Sequence, residues 1–124
     1  MIAADTSAWI CFFEGDDGAD VVALRKALQA RQVVMPPPVL TELLSDPELS
    51  PSVAQTLLEL PMVPIMDGFW YRAGKLRSRA LARKRKARLG DALIAQCCID
   101  ADIPLITRDK DFKAFTEALK LSLF

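Results

Sequence analysis

The stretch from Leu89 to Phe112 constrains the fold most, because it contains a helical pattern, a buried-strand pattern and a loop in direct succession. Residues 92 to 99 are apolar at every position but one, which predicts a helix that is buried on most of its surface. Pro104 to Ile106 is a short apolar run that is typical of a central strand in a parallel sheet. The sequence therefore predicts an α/β fold, and such sheets bind ligands at the carboxyl ends of their strands.

The length and the cysteines limit the class of protein. A chain of 124 residues is long enough to bury a hydrophobic core, and we predict one domain over residues 1–124. Cys11, Cys97 and Cys98 are odd in number and lie in apolar segments, so we expect reduced thiols rather than disulfides. The sequence shows the pattern of neither a signal peptide nor a membrane span, so we expect a cytoplasmic protein without membrane contacts.

The chain contains no histidine, and this absence removes several kinds of chemistry. Ser/His/Asp triads, histidine-based acid–base ribonucleases and the usual zinc sites are excluded, so any catalysis must depend on carboxylates. The formal net charge is zero, with 16 basic and 16 acidic residues. Nine of the 16 basic residues lie in Arg72–Arg88, which holds no acid, and seven remain for the rest of the chain. We therefore expect an acidic pole and a basic pole.

Short apolar runs alternate with helical patterns along the whole chain. The predicted strands are Ile2–Ala4, Val33–Met35, Met62–Met66, Pro104–Ile106 and Leu121–Phe124. The predicted helices are Ala8–Phe13 capped by Thr6 and Ser7, Ala19–Ala30, one from Val39 after three prolines, Val53–Leu60, Gly68–Leu89, Asp91–Ile99, and one after Phe112 that includes Ala118 and Leu119. This order predicts a three-layer α/β/α sandwich around a central, mostly parallel sheet.

Several carboxylates follow strand ends or open helices. They are Asp5, Glu42, Asp91 and Asp109. In a parallel α/β sheet these positions gather at one edge, where crowded like charges raise one another's pKa unless a divalent cation neutralises them. Oxygen ligands favour Mg²⁺, for which Mn²⁺ can substitute, and either ion can activate water for phosphodiester hydrolysis. The alternative interpretation is structural: Asp5 and Asp91 as helix caps, Glu42 as a surface acid, and Asp109 with Asp111 as turn residues.

Four segments resemble a known family. They are MIAADTSAWI at the start, the glutamate of PPPVLTELL, the GDALIA segment and LITRDKDF near the end. In this order and spacing they resemble the PIN domain family along the whole length of the chain. The resemblance implies a metal-dependent endoribonuclease on an α/β/α sandwich, similar to the stand-alone PIN domains that act as VapC-type toxins of toxin–antitoxin pairs.

The resemblance also implies roles for single residues. The implied catalytic acids are Asp5, Glu42, Asp91 and Asp109, and the implied metal ligands among them are Asp5, Asp91 and Asp109. Ser7 and Thr107 match the hydroxyl residues that the family places beside the metal. The segment TRDKDF offers two acids, and we favour Asp109 because it stands two residues after Thr107. Asp111 is then an outer residue of the site or a helix cap.

The basic run and the aromatic residues point to partners. The basic run consists of Lys84, Arg85, Lys86 and Arg88. It is either a solvated face, a surface that binds RNA phosphates, or a contact for an acidic segment of an antitoxin. Trp9, Phe69 and Trp70 are predicted to be core or interface aromatics. Apolar residue types make up 52% of the chain, which is more than one small core needs. Together with the resemblance, this apolar surplus predicts a homodimer that a cognate antitoxin inhibits.

Two other functions stay open at the level of the sequence. A phosphoryl-transfer domain of the phosphatase or receiver type also places an Asp after its first strand. The phosphatase pattern requires a second Asp where Ser7 stands, and the acidic pair and lysine of a receiver do not stand out. A catalytically silent PIN-like scaffold would bind RNA or protein without cleaving it. Divalent-metal dependence of the cleavage of a labelled RNA separates the nuclease from the scaffold.

Overall fold

The computed structural model describes residues 1–116 and 121–124. Within these ranges the helices are α1 Thr6–Phe13, α2 Ala19–Gln29, α3 Pro37–Leu44, α4 Pro51–Leu58, α5 Phe69–Ala82 and α6 Leu89–Ala101. The strands are β1 Ala3–Ala4 and β2 Leu105–Ile106, and a 3₁₀ helix covers Lys110–Phe115. None of the helices in the described ranges has the length and apolar character needed to cross a bilayer.

The sheet is parallel, and its two regular strands lie side by side. β1 pairs with β2 so that Ala3 faces Leu105 and Ala4 faces Ile106. Further parallel bridges extend the sheet outward, and they join Ile2 to Val33, Met35 to Met62, and Leu105 to Leu123. The spatial order of the paired segments is therefore 62, 33–35, β1, β2 and 123. This order confirms the predicted α/β class with a parallel sheet.

The outer strands are shorter than the sequence predicted. Val33–Met35, Met62–Met66 and Leu121–Phe124 contribute isolated bridges instead of regular strands. Pro36 ends the first of these segments, and Pro61 and Pro64 stand on either side of the second bridge. Proline has no backbone N–H to donate, so a ladder of hydrogen bonds cannot continue through these positions.

The carboxyl ends of β1 and β2 form the point on which the site is built. Beside β1 lies the segment of Val33, whereas beside β2 lies the segment of Leu123, so the chain leaves the two strands toward opposite sides. Such a reversal is the topological switch point at which open α/β sheets bind ligands. Asp5 follows β1 directly and Thr107 follows β2 directly.

Four α-helices, namely α1, α3, α4 and α6, begin two residues earlier than the sequence predicted. Asp5 is the N-cap of α1, in place of Thr6 or Ser7, because its carboxylate accepts the backbone N–H of Ala8. α3 begins at Pro37, although the run of prolines predicts an extended segment up to Val39. Proline is compatible with the first turn because the N–H groups of that turn have no partner within the helix.

The predicted helix Gly68–Leu89 is too long. α5 ends at Ala82, and the basic run lies in the loop that leads to α6. Lys84 has a φ of 59°, in the left-handed region, which ends the helical geometry. Repulsion among neighbouring Arg and Lys side chains explains why the helix stops where the run becomes dense.

The helix predicted around Ala118 and Leu119 falls on residues that lie outside the described ranges. The 3₁₀ helix begins at Lys110, which is earlier than the predicted start at Phe112. Asp109 caps it, because the Asp109 side chain accepts the backbone N–H of Asp111. The acids after β2 are therefore held in a short, locally hydrogen-bonded segment.

The helix predicted to be buried lies in the core. α6 places Ala92, Ile94, Ala95, Gln96, Cys97 and Cys98 in the interior, and it packs against α5 and α3. Trp9 and Phe69 are also core residues, whereas Trp70 exposes 67% of its surface. Cys97 and Cys98 are free thiols, and burial raises the pKa of each to about 12. Both are therefore packing residues rather than nucleophiles.

Candidate metal centre

Asp5 is the buried carboxylate at the switch point. Its Oδ1 accepts the backbone N–H of Ala8 at 2.9 Å and the Ser7 hydroxyl at 2.8 Å. Its Oδ2 accepts the Thr107 hydroxyl at 2.6 Å and the same Ser7 hydroxyl at 2.8 Å. Burial raises the pKa of Asp5 and outweighs the lowering effect of these hydrogen bonds, and the charge of Asp109 adds to the rise. Asp5 is therefore both a helix cap and part of the acidic edge.

Thr107 joins Asp5 to the loop after β2. Its hydroxyl donates to Asp5 and accepts the backbone N–H of Asp109 at 2.9 Å. Asp109 Oδ1 then accepts the N–H of Asp111 at 2.9 Å. Both hydroxyl residues that the sequence singled out, Ser7 and Thr107, thus contact Asp5, and Thr107 also fixes the start of the segment that carries the two later acids.

Asp91, Asp109 and Asp111 form a cluster, which we call the acidic cluster. One carboxylate oxygen of each lies within 4.8 Å of the other two. Asp91 stands in the first turn of α6, and its Oδ2 is buried without a hydrogen-bond partner. Burial raises the pKa of Asp91 to about 6, and the nearby charge of Asp109 contributes. An ionised Asp91 therefore lacks the stabilisation that a buried charge requires.

The acidic cluster fits a hard divalent cation. All of its donors are carboxylate oxygens, which are the ligands that Mg²⁺ and Mn²⁺ prefer. The buried Oδ2 of Asp91 lacks the hydrogen bond that buried oxygens normally have, and a cation would satisfy it. Asp111 belongs to the cluster although the sequence placed it farther out. Its spacing of two residues from Asp109, within a turn, was the signal for this position.

Glu42 approaches the acidic cluster from α3. Its side chain is exposed, and Oε1 accepts the Thr6 hydroxyl at 2.7 Å. A Cβ built on Gly90 would lie 3.6 Å from Glu42 Oε2, so this carboxylate reaches the first turn of α6. The charges of Glu42 and Asp5 also contribute to the raised pKa of Asp91. The four predicted acids thus share one edge. The sequence predicted Thr6 only as a helix cap, and its contact with Glu42 was missed because the two residues are 36 positions apart.

The basic run borders the acidic cluster. Lys86 Nζ lies 3.4 Å from Asp111 Oδ2, and this lysine remains largely exposed. Arg88 is the N-cap residue of α6, and its positive charge lowers the pKa of Asp91, opposing the rise caused by burial. Lys84 is exposed and Arg85 is half-buried in the same loop. Of the four residues predicted to bind RNA, Lys86 and Arg88 therefore lie beside the acids.

A family model described as PIN domain matches residues 2–118. The chain belongs to the PIN domain family. One relative is the VapC ribonuclease Mb1587 of Mycobacterium bovis, which is 28% identical over 128 residues. The alignment covers 98% of this chain and 96% of that protein, so this PIN domain and its relative correspond over nearly their full lengths.

Solved structures share the fold of this PIN domain. FitAcB from Neisseria gonorrhoeae gives a TM-score of 0.71 at 18% identity, with 100% of this chain and 96% of that chain covered. VapBC-5 from Mycobacterium tuberculosis, a member of the VapBC family of toxin–antitoxin systems, gives 0.66 at 21% identity, with 99% and 96% covered. These likenesses show the fold, and they confirm the PIN-like α/β sandwich expected from the sequence.

We expect the metal-free PIN domain to lose stability as the pH rises through about 6, the pKa of Asp91 in the folded chain. That pKa lies above the ordinary value of 3.8, so the contribution of Asp91 is fully present below pH 3.8 and is lost as the pH passes 6. Asp91→Asn should then stabilise the metal-free protein at pH 8 by about 1 kcal/mol, a figure reduced for the partial exposure of this residue.

Denaturant unfolding in excess chelator at pH 4 and pH 8 measures this effect. Asp102→Asn is the matched control, because Asp102 is an exposed acid at the other end of α6. It should leave the difference between the two pH values unchanged. If Asp91→Asn were no more stable than the wild type at pH 8, neither the burial of this carboxylate nor the charge around it would be destabilising.

Proposed function

We propose that this PIN domain protein is an endoribonuclease that requires Mg²⁺, or Mn²⁺ in its place, and that it is the toxin of a toxin–antitoxin pair. The observation that carries the proposal is the acidic cluster of Asp91, Asp109 and Asp111, with a buried carboxylate oxygen that has no partner. A relative named as a ribonuclease and a structural neighbour from a toxin–antitoxin system support the same function.

The proposed metal ligands are Asp5, Asp91 and Asp109. Asp91 offers its unpartnered Oδ2, and Asp109 has an oxygen within 4.8 Å of a carboxylate oxygen of Asp91. Asp5 accepts three hydrogens, from Ala8, from Thr107 and from the Ser7 hydroxyl, whose single hydrogen the two carboxylate oxygens share. A carboxylate has roughly four acceptor sites, so Asp5 retains capacity for a cation. Asp111 adds a further oxygen to the same cluster.

The residues around the cluster prepare the site for RNA. A bound ion supplies Lewis-acid stabilisation of phosphate oxygens and lowers the pKa of water. Ser7 and Thr107 hold Asp5 in position, while Glu42 presents Oε2 as an acceptor for the proton of the attacking water. Lys86 and Arg88 attract the RNA backbone to an edge that would otherwise repel it. Attack of water on phosphorus would then break the P–O3′ bond, so that the 3′-oxygen leaves as a hydroxyl with a proton from solvent and the phosphate stays on the 5′-oxygen.

Exposed apolar surface beside this edge supports protein partners. Trp70 and Tyr71 expose 67% and 71% of their surfaces at the start of α5. A groove of about 430 Å³ includes Trp70, Ile65 and Leu93 in its lining and also includes Glu42. Surface of this kind marks interfaces. We therefore propose that the protein is a homodimer and that an antitoxin segment covers the acidic edge.

The proposed inhibition works through charge. A basic side chain of the antitoxin, inserted among Asp5, Asp91 and Asp109, would supply positive charge in place of the metal ion and would form charge-assisted hydrogen bonds. Asp91 and Asp109 already lie together in the acidic cluster, and Asp5 is joined to the same edge through its hydrogen bond from Thr107. The toxin would therefore stay folded while it is inhibited.

The first test of this function is the cleavage of a labelled single-stranded RNA. Cleavage should require Mg²⁺ or Mn²⁺ and leave 5′-phosphate ends, and Asp5→Asn or Asp91→Asn should lower the rate at least about 100-fold because a ligand is lost. Asp109→Asn should lower the cleavage rate more than Asp111→Asn does. Asp102→Asn is the control. Cleavage in excess chelator, or 2′,3′-cyclic phosphate ends, would refute the mechanism.

The second test concerns the homodimer. Light scattering at micromolar concentration should give twice the chain mass of 13.7 kDa. Trp70→Lys should shift the protein toward the monomer because it places a charge in the exposed apolar surface. Leu58→Lys is the control, since Leu58 is also exposed but lies on α4, outside the groove of Trp70. A monomeric wild type would contradict the proposal.

The third test concerns the antitoxin. The product of the neighbouring gene should co-purify with the protein and suppress cleavage at least about tenfold, since a buried charge pair replaces the metal. Replacing the basic residues of its tail by alanine should leave binding measurable and restore much of the cleavage. A cleavage rate that is undiminished while the partner is bound would exclude inhibition through the acidic edge.

A further inference from the structure

We propose that Arg108 is a positioning residue, which holds the loop that carries Thr107 and Asp109 and thereby sets the affinity of the acidic cluster for its metal ion. The inference rests on the proposed function, because it concerns the same metal site. It adds a second support behind that site, which joins Arg108 of the LITRDKDF segment to Asp16 and Asp20, two acids outside the motifs discussed above.

The side chain of Arg108 forms a three-point contact. Nε donates to Asp20 Oδ2 at 2.8 Å and Nη2 donates to Asp20 Oδ1 at 2.9 Å, which is the two-pronged geometry that arginine and a carboxylate favour. Nη1 donates to Asp16 Oδ2 at 2.8 Å. Asp20 and Asp16 precede Arg108 by 88 and 92 positions, so the contact joins distant parts of the chain.

The two carboxylates are themselves fixed. Asp20 lies in the first turn of α2, where the helix dipole favours a negative charge, and its side chain is only 10% exposed. The hydrogen bonds from Arg108 hold the pKa of Asp20 below its ordinary value. Asp16 is held from the other side by the backbone N–H of Asp17 at 2.7 Å. Arg108 is thus attached to the first turn of α2 and to the turn that precedes this helix.

Gly18 shows how closely this contact is packed. A Cβ at Gly18 would overlap Asp20 Oδ1 and would lie 2.8 Å from Nη2 of Arg108. Any larger residue must therefore displace the carboxylate or the guanidinium. The sequence uses glycine here for close approach, since the backbone of Gly18 has an extended φ of −136° that other residues also adopt.

The loop is held on both sides. On the inner side Thr107 donates to Asp5 at 2.6 Å and accepts the N–H of Asp109 at 2.9 Å. On the outer side Arg108 bonds to Asp20. Neighbouring side chains in an extended segment point in opposite directions, so one residue can reach the outer support while its two neighbours serve the site. Without Arg108, metal binding would have to order the loop, and that ordering costs conformational entropy.

The electrostatic effect of Arg108 and its positioning effect predict opposite changes in metal affinity when Arg108 is removed. If only its charge mattered, removing a cation close to the acidic cluster would make a metal ion bind more tightly. If Arg108 positions the loop, the affinity should fall, on the order of tenfold, as it does when supports behind metal ligands are removed. The sign of the change therefore decides between the two effects.

The experiment is a calorimetric titration of the full chain with Mn²⁺ in the absence of RNA. Arg108→Ala should raise the Kd for Mn²⁺ about tenfold. Arg108→Lys should give a Kd between those of Arg108→Ala and the wild type, because lysine keeps the charge but cannot make the two-pronged contact with Asp20. Arg25→Ala removes an equal charge from an exposed position on α2 and is the control. A Kd equal to or below that of the wild type in Arg108→Ala would overturn the inference.

A substitution that leaves the charge unchanged gives a second test of the positioning role of Arg108. Gly18→Ala displaces the Arg108 fork without a change of charge and should weaken Mn²⁺ binding, whereas Gly74→Ala, which meets no neighbouring atom, should not. Thermal melting in chelator verifies that each variant is folded. If Arg108→Ala does not fold, Gly18→Ala decides whether Arg108 positions the loop. A wild type that binds Mn²⁺ but leaves RNA intact would refute the proposed nuclease, while the Kd comparison still tests Arg108.

Discussion

The structure depends on one buried carboxylate at the junction of two parallel strands. Asp5 loses hydration between the ends of β1 and β2, and hydrogen bonds from Ser7, Ala8 and Thr107 offset that cost. The bond to Thr107 spans 102 positions of the sequence, so satisfying this carboxylate also joins the start of the chain to its last third. The same bonds place Asp5 at the edge where the other acids gather.

Burial and crowding of the acids at that edge have a cost in stability. Burial raises the pKa of Asp91 to about 6, the neighbouring carboxylates add to the rise, and one buried oxygen of Asp91 has no hydrogen-bond partner. Lys86 and Arg88 compensate in part from the side of the basic loop. On the other side, Glu42 and Trp70 share the apolar groove. The acids therefore lie between a basic loop and an apolar groove.

The sequence by itself determined the class of fold and the candidate acids. Apolar periodicity marked α6 as a buried helix, and the run of Leu105 and Ile106 marked β2 as a central strand, because burial imposes a repeat that is visible locally. Once a parallel sheet is inferred, strand ends must meet at one edge, so Asp5 and Asp109 could be placed together without coordinates. The boundaries near proline and in the basic run were predicted poorly, because local rules conflict there.

Only the tertiary structure decided which of these groups touch. It put Asp111 into a cluster with Asp91 and Asp109, left an Asp91 oxygen without a partner, and exposed Trp70 while it buried Phe69. It also paired Arg108 with Asp20, a contact for which no local pattern exists. The physical reason is common to all of them. Hydrogen-bond partners, desolvation and exposure depend on distances between residues that are remote in the sequence, and a one-dimensional pattern does not contain those distances.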